Sequence, residues 1–387
     1  MTARALRIAV VAGETSGDQL GAALIAALRA RAPEIEFFGI AGPLMRAAGC
    51  EAWYGAEQLA VMGLFEVIPH LPRLLRIRRD LSARLIDDPP DVFVGVDFKE
   101  FNLSVARRLK AAGIRTVQYV SPQVWAWRER RVRGIARACD LMLCLLPFEP
   151  AFYARHSVRA VFVGHSLADQ IPLDVDRGAA RRALGLAADA TVVALLPGSR
   201  RGEVTRLAPD YIAAAQALAA MQPGIEFIAP MASPPMRTLF EPAVAARGAG
   251  AARIRVLDGQ ARLALQAADA ALVASGTASL EALLCRCPMV VTYRLSAMTA
   301  FVLRLLRMVR LQHFSLPNLL AGEGLVPEFF QEAVNATALA AAVHAQLRDA
   351  PRRAMLDTRF RAIHASLRQG GAERAADAVL QLVGAGR

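Results

Sequence analysis

The stretch LLPGSRRGEV, residues 195–204, reads as the end of a buried strand, a glycine turn and the first turn of a helix. The stretch LVASGTASLEALL, residues 272–284, repeats the scheme with a Ser-Gly-Thr turn. A strand running through such a turn into a helix aims backbone N–H groups and the positive end of the helix dipole at one point, a good seat for phosphate. Arg200 adds a planar guanidinium that matches phosphate oxygens. Glu281 stands one helical turn beyond Thr277, where a carboxylate can hold two ribose hydroxyls. Gly198, Ser199, Arg200, Ser275, Gly276, Thr277 and Glu281 are therefore the candidate site for a nucleoside diphosphate. No G-x-x-x-x-G-K-[ST] run occurs, so this is not a P-loop of the usual kind.

Working outward, apolar runs alternate with amphipathic stretches along the whole chain. Runs at 6–12, 35–40, 92–96, 116–120, 141–145 and 160–163 read as buried parallel strands, with helical patterns at 17–31, 71–85 and 103–112 between them. The second half repeats this, with strands near 192–196, 226–229, 254–257, 270–273 and 289–293. Two βαβ series imply an α/β fold of two doubly wound domains facing a central cleft. The first is expected over 1–170 and the second over 171–350. A linker near 170–177 is marked by prolines, aspartates and a fresh helix start. The C-terminal helices, 351–387, are free to pack on either domain.

The chain has 387 residues, 55% hydrophobic and 21% charged, which suits a globular α/β protein and excludes disorder. Its formal charge of +12 is carried almost wholly by arginine, since Lys99 and Lys110 are the only lysines. Such a charge points to an anionic partner, or in part to a codon bias toward arginine. The five cysteines fit no disulfide framework, and Cys285-x-Cys287 lacks the second pair a zinc site needs. The first apolar run is too short for a signal sequence, and no window of eighteen apolar residues is uninterrupted. A cytoplasmic location is expected. Asp174-Val175-Asp176 has the D-x-D form of metal-dependent sugar transferases but falls in the linker rather than after a strand, so no metal is expected.

In the first half, GETSGD (13–18) is a strand–turn–helix loop without the G-x-G-x-x-G pattern, so a dinucleotide site is poorly supported. Ser16 and Asp18 either face a ligand or cap the helix that follows. GVDFKEFNL (95–103) puts Asp97 at the carboxyl end of a strand, the edge where open α/β sheets bind ligands. Asp97 or Glu100 is placed there as a general base, with Asn102 beside them; the competing role for Asp97 is a helix cap or an arginine partner. YVSPQVWAWRERR (119–131) offers Ser121, and Trp125 and Trp127 as packing residues or sugar platforms.

Two stretches are both apolar and basic. Residues 62–81 carry Leu64, Phe65, Ile68, Leu71, Leu74 and Leu75 among arginines; residues 298–314 carry Phe301, Leu305 and Met308 against Arg304, Arg307 and Arg310. Such helices lie in the headgroup plane of anionic membranes, unless they are core helices with arginines outward. One in each half suggests a shared membrane-facing surface.

GETSGD, GIAGPLM (39–45), MGLFEV (62–67), GVDFKEFN, YVSPQVWAW, GHSLAD (164–169), LLPGSR, ASGTASLE, PMVVTYR (288–294) and SLPNLLAG (315–322) together closely resemble the lipid-A-disaccharide synthase family, in family order from about residue 6 to 335. The resemblance implies the GT-B architecture and an inverting glycosyltransferase of lipid A and lipopolysaccharide biosynthesis with no cofactor. It implies that UDP-2,3-diacylglucosamine is joined to 2,3-diacylglucosamine 1-phosphate through a β-1,6 linkage, with release of UDP. It implies an enzyme peripherally bound to the inner face of the inner membrane and a homodimer in some members; aromatics that sit mostly in apolar segments rather than among basic residues argue against a nucleic-acid partner. By resemblance Arg200 meets the diphosphate, Glu281 the ribose and Asp97 the acceptor hydroxyl. His165 and Asn318 fall in family-like segments near the cleft. Where many members carry D-A-P-D-F-N, this chain has Asp97-Phe98-Lys99-Glu100-Phe101-Asn102, and the bulk of Phe98 bears directly on the geometry around the base. The rival reading is another GT-B-type enzyme acting on UDP-N-acetylglucosamine, a transferase to a different acceptor or an epimerase.

Overall fold

The computed structural model describes residues 4–59, 67–127, 129–246, 252–295 and 312–384; side chains are described for all of these except 67–70, 126 and 127. The chain divides into two compact units, 1–169 with 367–387, and 170–366.

The first unit is built on a seven-stranded parallel sheet. In chain order the strands are β1 (Arg7–Ala12), β2 (Glu36–Ala41), β3 (Cys50–Gly55), β4 (Val92–Val96), β5 (Arg115–Tyr119), β6 (Leu141–Cys144) and β7 (Ala160–Phe162), and their spatial order is 3-2-1-4-5-6-7. Parallel strands joined by crossover helices are covered on both faces, so their sequences are continuously apolar. β1 shows how: Ile8, Val10 and Ala12 join one core cluster, Ala9 and Val11 the other, as a period of two requires. The helix Thr15–Arg31 covers the first face through Leu20, Leu24, Ile25 and Leu28. Beside it lies the C-terminal helix Gly371–Gly384, adding Ala375, Val379, Leu382 and Val383 to the same cluster. Its tether is polar: Arg31 Nε donates to Asp377 at 2.5 Å, and Asp169 accepts from the N–H groups of Gly370 and Gly371 at 3.0 and 2.8 Å. The helix before it, Ala350–Leu367, lies almost wholly in the second unit.

The second unit holds β8 (Val192–Leu196), β9 (Glu226–Met231), β10 (Ile254–Asp258), β11 (Ala270–Ala274), β12 (Met289–Tyr293) and β13 (Glu328–Phe330), all parallel, in the order 10-9-8-11-12-13. Both sheets thus reverse direction beside their first strand, between β1 and β4 and between β8 and β11. Those are the switch points at which open sheets of this kind bind ligands.

β3 and β13 were not expected from the sequence. CEAWYG is an edge strand with polar and aromatic residues, paired on one side only with β2. EFF is three residues long and half-buried. Neither carries the long apolar run that marks a central strand. The D-x-D aspartates have other work: Asp176 caps the helix Arg177–Ala183 by accepting from Ala179 N–H at 2.8 Å, and Asp174 pairs with Arg361 at 2.8 Å.

Candidate functional site

On the second unit, β8 and β11 are adjacent and in register, Leu196 opposite Val273, so the turns after them emerge side by side at one sheet edge. Gly198 and Gly276 both have left-handed φ values, 121° and 138°, that a side chain rarely tolerates. A Cβ at Gly198 would also lie 2.5 Å from Glu203. The helix Thr277–Leu284 begins at Gly276 with no side-chain cap, so its first turn presents uncapped backbone donors. Thr277 is exposed there. Ser275 is drawn into the frame: its N–H donates to Thr292 O at 2.8 Å and its Oγ to Phe314 O at 3.4 Å.

The turn after β8 corrects the expectation of free N–H groups. Glu203 Oε2 accepts from the N–H of Ser199 at 3.1 Å and of Arg200 at 3.3 Å, closing the start of the helix Arg201–Met221 with a carboxylate of its own. Arg200 itself is 84% exposed, its guanidinium 3.5 Å from Glu203. At this turn the side chain of Arg200, rather than the backbone, is the group open to an anion. Glu281 is mostly buried, 3.5 Å from Arg262, and burial pushes its carboxyl upward against the pull of that arginine.

On the first unit, Asp97 follows β4 at the switch point, and Ser16 Oγ, from the turn after β1, lies 3.4 Å from Asp97 Oδ2. Asp97 and Phe98 both sit at left-handed φ, 50° and 34°, strain of the kind concentrated at functional sites. The turn is pinned from several directions. Asp97 N–H donates to Tyr119 O at 2.8 Å; Asp97 O accepts from Asn102 Nδ2 at 3.1 Å and Gln118 Nε2 at 2.9 Å. Asn102 is fully buried, and its amide also reaches the carbonyls of Val11 and Val96, so it holds the turn rather than facing a ligand. The departure at Phe98 is accommodated by Gly13, where a Cβ would stand 2.6 Å from the Phe98 ring.

The other expected residues separate clearly. Glu100 points outward and pairs with Arg131 at 2.6 Å. Asp18 is buried and accepts from Leu44 and Met45 N–H at 2.9 and 3.0 Å; it caps the helix Pro43–Ala47 rather than its own. Asn318 is buried in a two-way bond with the backbone of Val326, at 2.8 and 2.9 Å, which makes it a loop brace in the second unit. His165 Nδ1 accepts from Leu167 N–H at 3.2 Å, and burial lowers the imidazole to about 4. Ser121 is buried and shares a hydrogen bond with the Tyr153 hydroxyl at 2.9 Å.

Of the apolar basic stretches, the helix Val67–Asp87 exposes Leu71 and Leu75, at 45% and 41%. Leu74 corrects the expectation, for it packs against the core with Ile77, Leu81 and Leu85. Leu64, Phe65, Phe301, Leu305 and Met308 lie outside the described residues, as does the side chain of Ile68. No helix among the described residues is long and apolar enough to cross a membrane.

Three residues escaped sequence reading. Glu203 carried a signal, the acidic third residue of a helix start. Gln118 and Glu149 carried none, because a polar residue inside or just after an apolar run reveals its partners only in the fold.

Two Rossmann-like parallel sheets, each with a switch point beside its first strand, and the fold shared with solved glycosyltransferase structures place the chain in the α/β GT-B class. Solved structures share the fold: a UDP-GlcNAc 2-epimerase from Neisseria meningitidis bound to UDP-GlcNAc aligns with TM-score 0.63 at 13% identity, over 98% of this chain and 99% of its own. Anabaena Alr3699/HepE in complex with UDP and glucose aligns at 0.56 and 13%, over 97% and 99%. The family model of lipid-A-disaccharide synthetase matches residues 8–382. Lipid-A-disaccharide synthases of Alkalilimnicola ehrlichii and Sodalis glossinidius are 54% and 53% identical, over 98% and 99% of this chain and 99% and 100% of theirs. The chain belongs to the lipid-A-disaccharide synthase family and is a glycosyltransferase of lipid A biosynthesis.

Proposed function

We propose that the enzyme transfers 2,3-diacylglucosamine from its UDP donor to the 6-hydroxyl of 2,3-diacylglucosamine 1-phosphate, in one inverting displacement. Asp97 removes the hydroxyl proton as the oxygen forms its bond to the anomeric carbon, and the bond from that carbon to the diphosphate breaks. Arg200 and the uncapped helix start at Gly276 stabilise the charge growing on UDP, and Glu281 holds the ribose. Preorganised donors of this kind are typically worth about 3 kcal/mol each.

The observation that carries the reading is Asp97 itself. It stands at the switch point on a strained turn, its backbone locked by Asn102 and Gln118 and its carboxylate beside Ser16. Glu100, engaged by Arg131, is the poorer candidate for the base. The helix bearing exposed Leu71 and Leu75 among Arg73, Arg76 and Arg79 supports docking on the anionic inner face of the inner membrane, where acylated substrates reside. A UDP-N-acetylglucosamine epimerase is disfavoured, because such a protein matches at 13% identity while lipid-A-disaccharide synthases match at 50–54%.

The test is UDP release and disaccharide formation from both lipid substrates in mixed micelles with EDTA present. Product that depends on Asp97 and Arg200 supports the reading. Turnover of soluble UDP-N-acetylglucosamine without any acylated acceptor overturns it.

A further inference from the structure

Next to the Asp97 turn, β5 leads into a corner that nothing in the proposed chemistry uses. Val120 has φ 77°, a left-handed conformation that a β-branched residue reaches only under strain. Ser121 follows, and its Oγ lies 2.9 Å from the Tyr153 hydroxyl. Four residues on, Trp125 Nε1 donates to Glu149 Oε1 at 3.1 Å, while Leu146 N–H donates to Glu149 Oε2 at 3.0 Å. Phe148 braces the Trp125 ring edge-on, with centroids 4.9 Å apart. Glu149 is 2% exposed, and the Ser121 hydroxyl, which donates to Pro122 O at 3.2 Å, lies close to its carboxyl. The same corner reaches the Asp97 turn directly, since Gln118 Nε2 donates to both Asp97 O and Val120 O, at 2.9 and 3.4 Å.

We infer that Glu149 is a positioning residue for the acceptor side: its buried carboxyl ties Trp125 to the Leu146 backbone and so holds the strained Val120 corner against the turn that carries Asp97. The inference rests on the assignment of Asp97 to the acceptor. A surface glutamate would serve no such purpose; a buried one keeps a convergent set of donors in a single geometry, because leaving any of them unpaired is costly.

Burial raises the Glu149 carboxyl from 4.5 to about 7 against the pull of its donors. The titratable groups facing it are Tyr153, on its own helix, and Cys144, at the end of β6; burial raises both, so both are neutral near pH 7. The ionised carboxylate accepts more strongly than the acid. The grip on Trp125 therefore tightens as pH rises through 7.

The experiment measures acceptor KM, donor KM and kcat at pH 6, 7 and 8 for wild type, Glu149→Gln, Trp125→Phe and the double variant, with UDP affinity by calorimetry. Trp125→Phe keeps an aromatic ring while removing the indole donor along with its second ring, and the double variant separates the lost contact from the lost bulk, so the contact can be read even where a substitution at Glu149 disturbs folding. The expected result is an acceptor KM about tenfold higher in each single variant and no higher in the double, the signature of a shared contact. Donor KM and UDP affinity stay at wild-type values, and the fall of acceptor KM with rising pH disappears in Glu149→Gln. An unchanged acceptor KM in Trp125→Phe, an equal loss on donor and acceptor, or a pH dependence retained by Glu149→Gln overturns the inference. A wild-type enzyme that releases no UDP with these lipids overturns the functional reading first, and this inference with it.

Discussion

Asp97 and Glu100 are three residues apart, and both were candidates for the base; their surroundings separate them. Asp97 is fixed through its backbone, with its carboxylate left beside Ser16, whereas Glu100 sits in an exposed ion pair of little energetic weight. Asp97→Asn is expected to lower kcat by about 10²–10⁴-fold, the usual contribution of a general base, while Glu100→Gln leaves kcat near wild type. Steady-state UDP release decides between them, and the reverse pattern would transfer the role to Glu100. Gly198 makes a different kind of prediction. Gly198→Ala meets both a φ of 121° and the Glu203 side chain, so UDP affinity falls while the first unit melts unchanged, as titration and calorimetry together would show. Glu149 ties pH to stability. With its carboxyl raised to about 7, the native protein keeps a proton between pH 4.5 and 7 that the unfolded chain releases. The contribution of Glu149 to stability therefore falls as pH rises through that window, by roughly 3 kcal/mol in all, while His165, lowered to about 4, contributes in the opposite sense up to the ordinary imidazole range. Denaturant melts of wild type and Glu149→Gln across pH 5–8 test this: the stability of wild type minus that of the variant, from which the His165 part cancels, should fall as pH rises to 7.

Among the elements, the helix Gly371–Gly384 best shows how sequence and tertiary structure divide the work. Its amphipathic pattern is plain in the sequence, but the pattern names no partner, because any apolar surface would satisfy it. Docking on the first unit is decided by Asp169, which accepts from Gly370 and Gly371, and by the Arg31–Asp377 pair. Most of its stabilisation comes from burying residues such as Val379 and Leu382, since a half-exposed ion pair adds little. Leu382→Ala is expected to cost about 2–5 kcal/mol of first-unit stability. Calorimetry should show one transition moving down while UDP affinity, proposed to belong to the second unit, persists; loss of both together would contradict the division. Central strands such as β4 and β8 were legible because burial on both faces demands continuous apolar runs. β3 and β13 were not, because an edge strand needs less.

For the molecule as a whole, a formal charge of +12 and an exposed leucine pair amid arginines bear on where the enzyme works. Leu71→Glu with Leu75→Glu should weaken binding to phosphatidylglycerol vesicles by tenfold or more, given about 1.5–3 kcal/mol for each leucine buried. The remaining arginine attraction should fade with added salt, each basic group near the surface being worth about 1 kcal/mol. Cosedimentation at low and high salt measures both effects, and undiminished binding by the double variant would remove this helix from the docking surface. What the sequence by itself determined was the alternation of buried strands and helices, and hence two parallel sheets, together with the glycine turns and the acidic and basic residues at the strand ends. Those follow from local rules: periodicity, conformational freedom and the direction of backbone donors. Only the tertiary structure decided that Asp18 and Asn318 brace loops, that Glu203 occupies the N–H groups of the Gly198 turn, that Leu74 faces the core, and that Glu149 accepts from Trp125. Each of those depends on a partner brought from elsewhere in the fold, and a hydrogen bond or a buried contact exists only once both partners are in place.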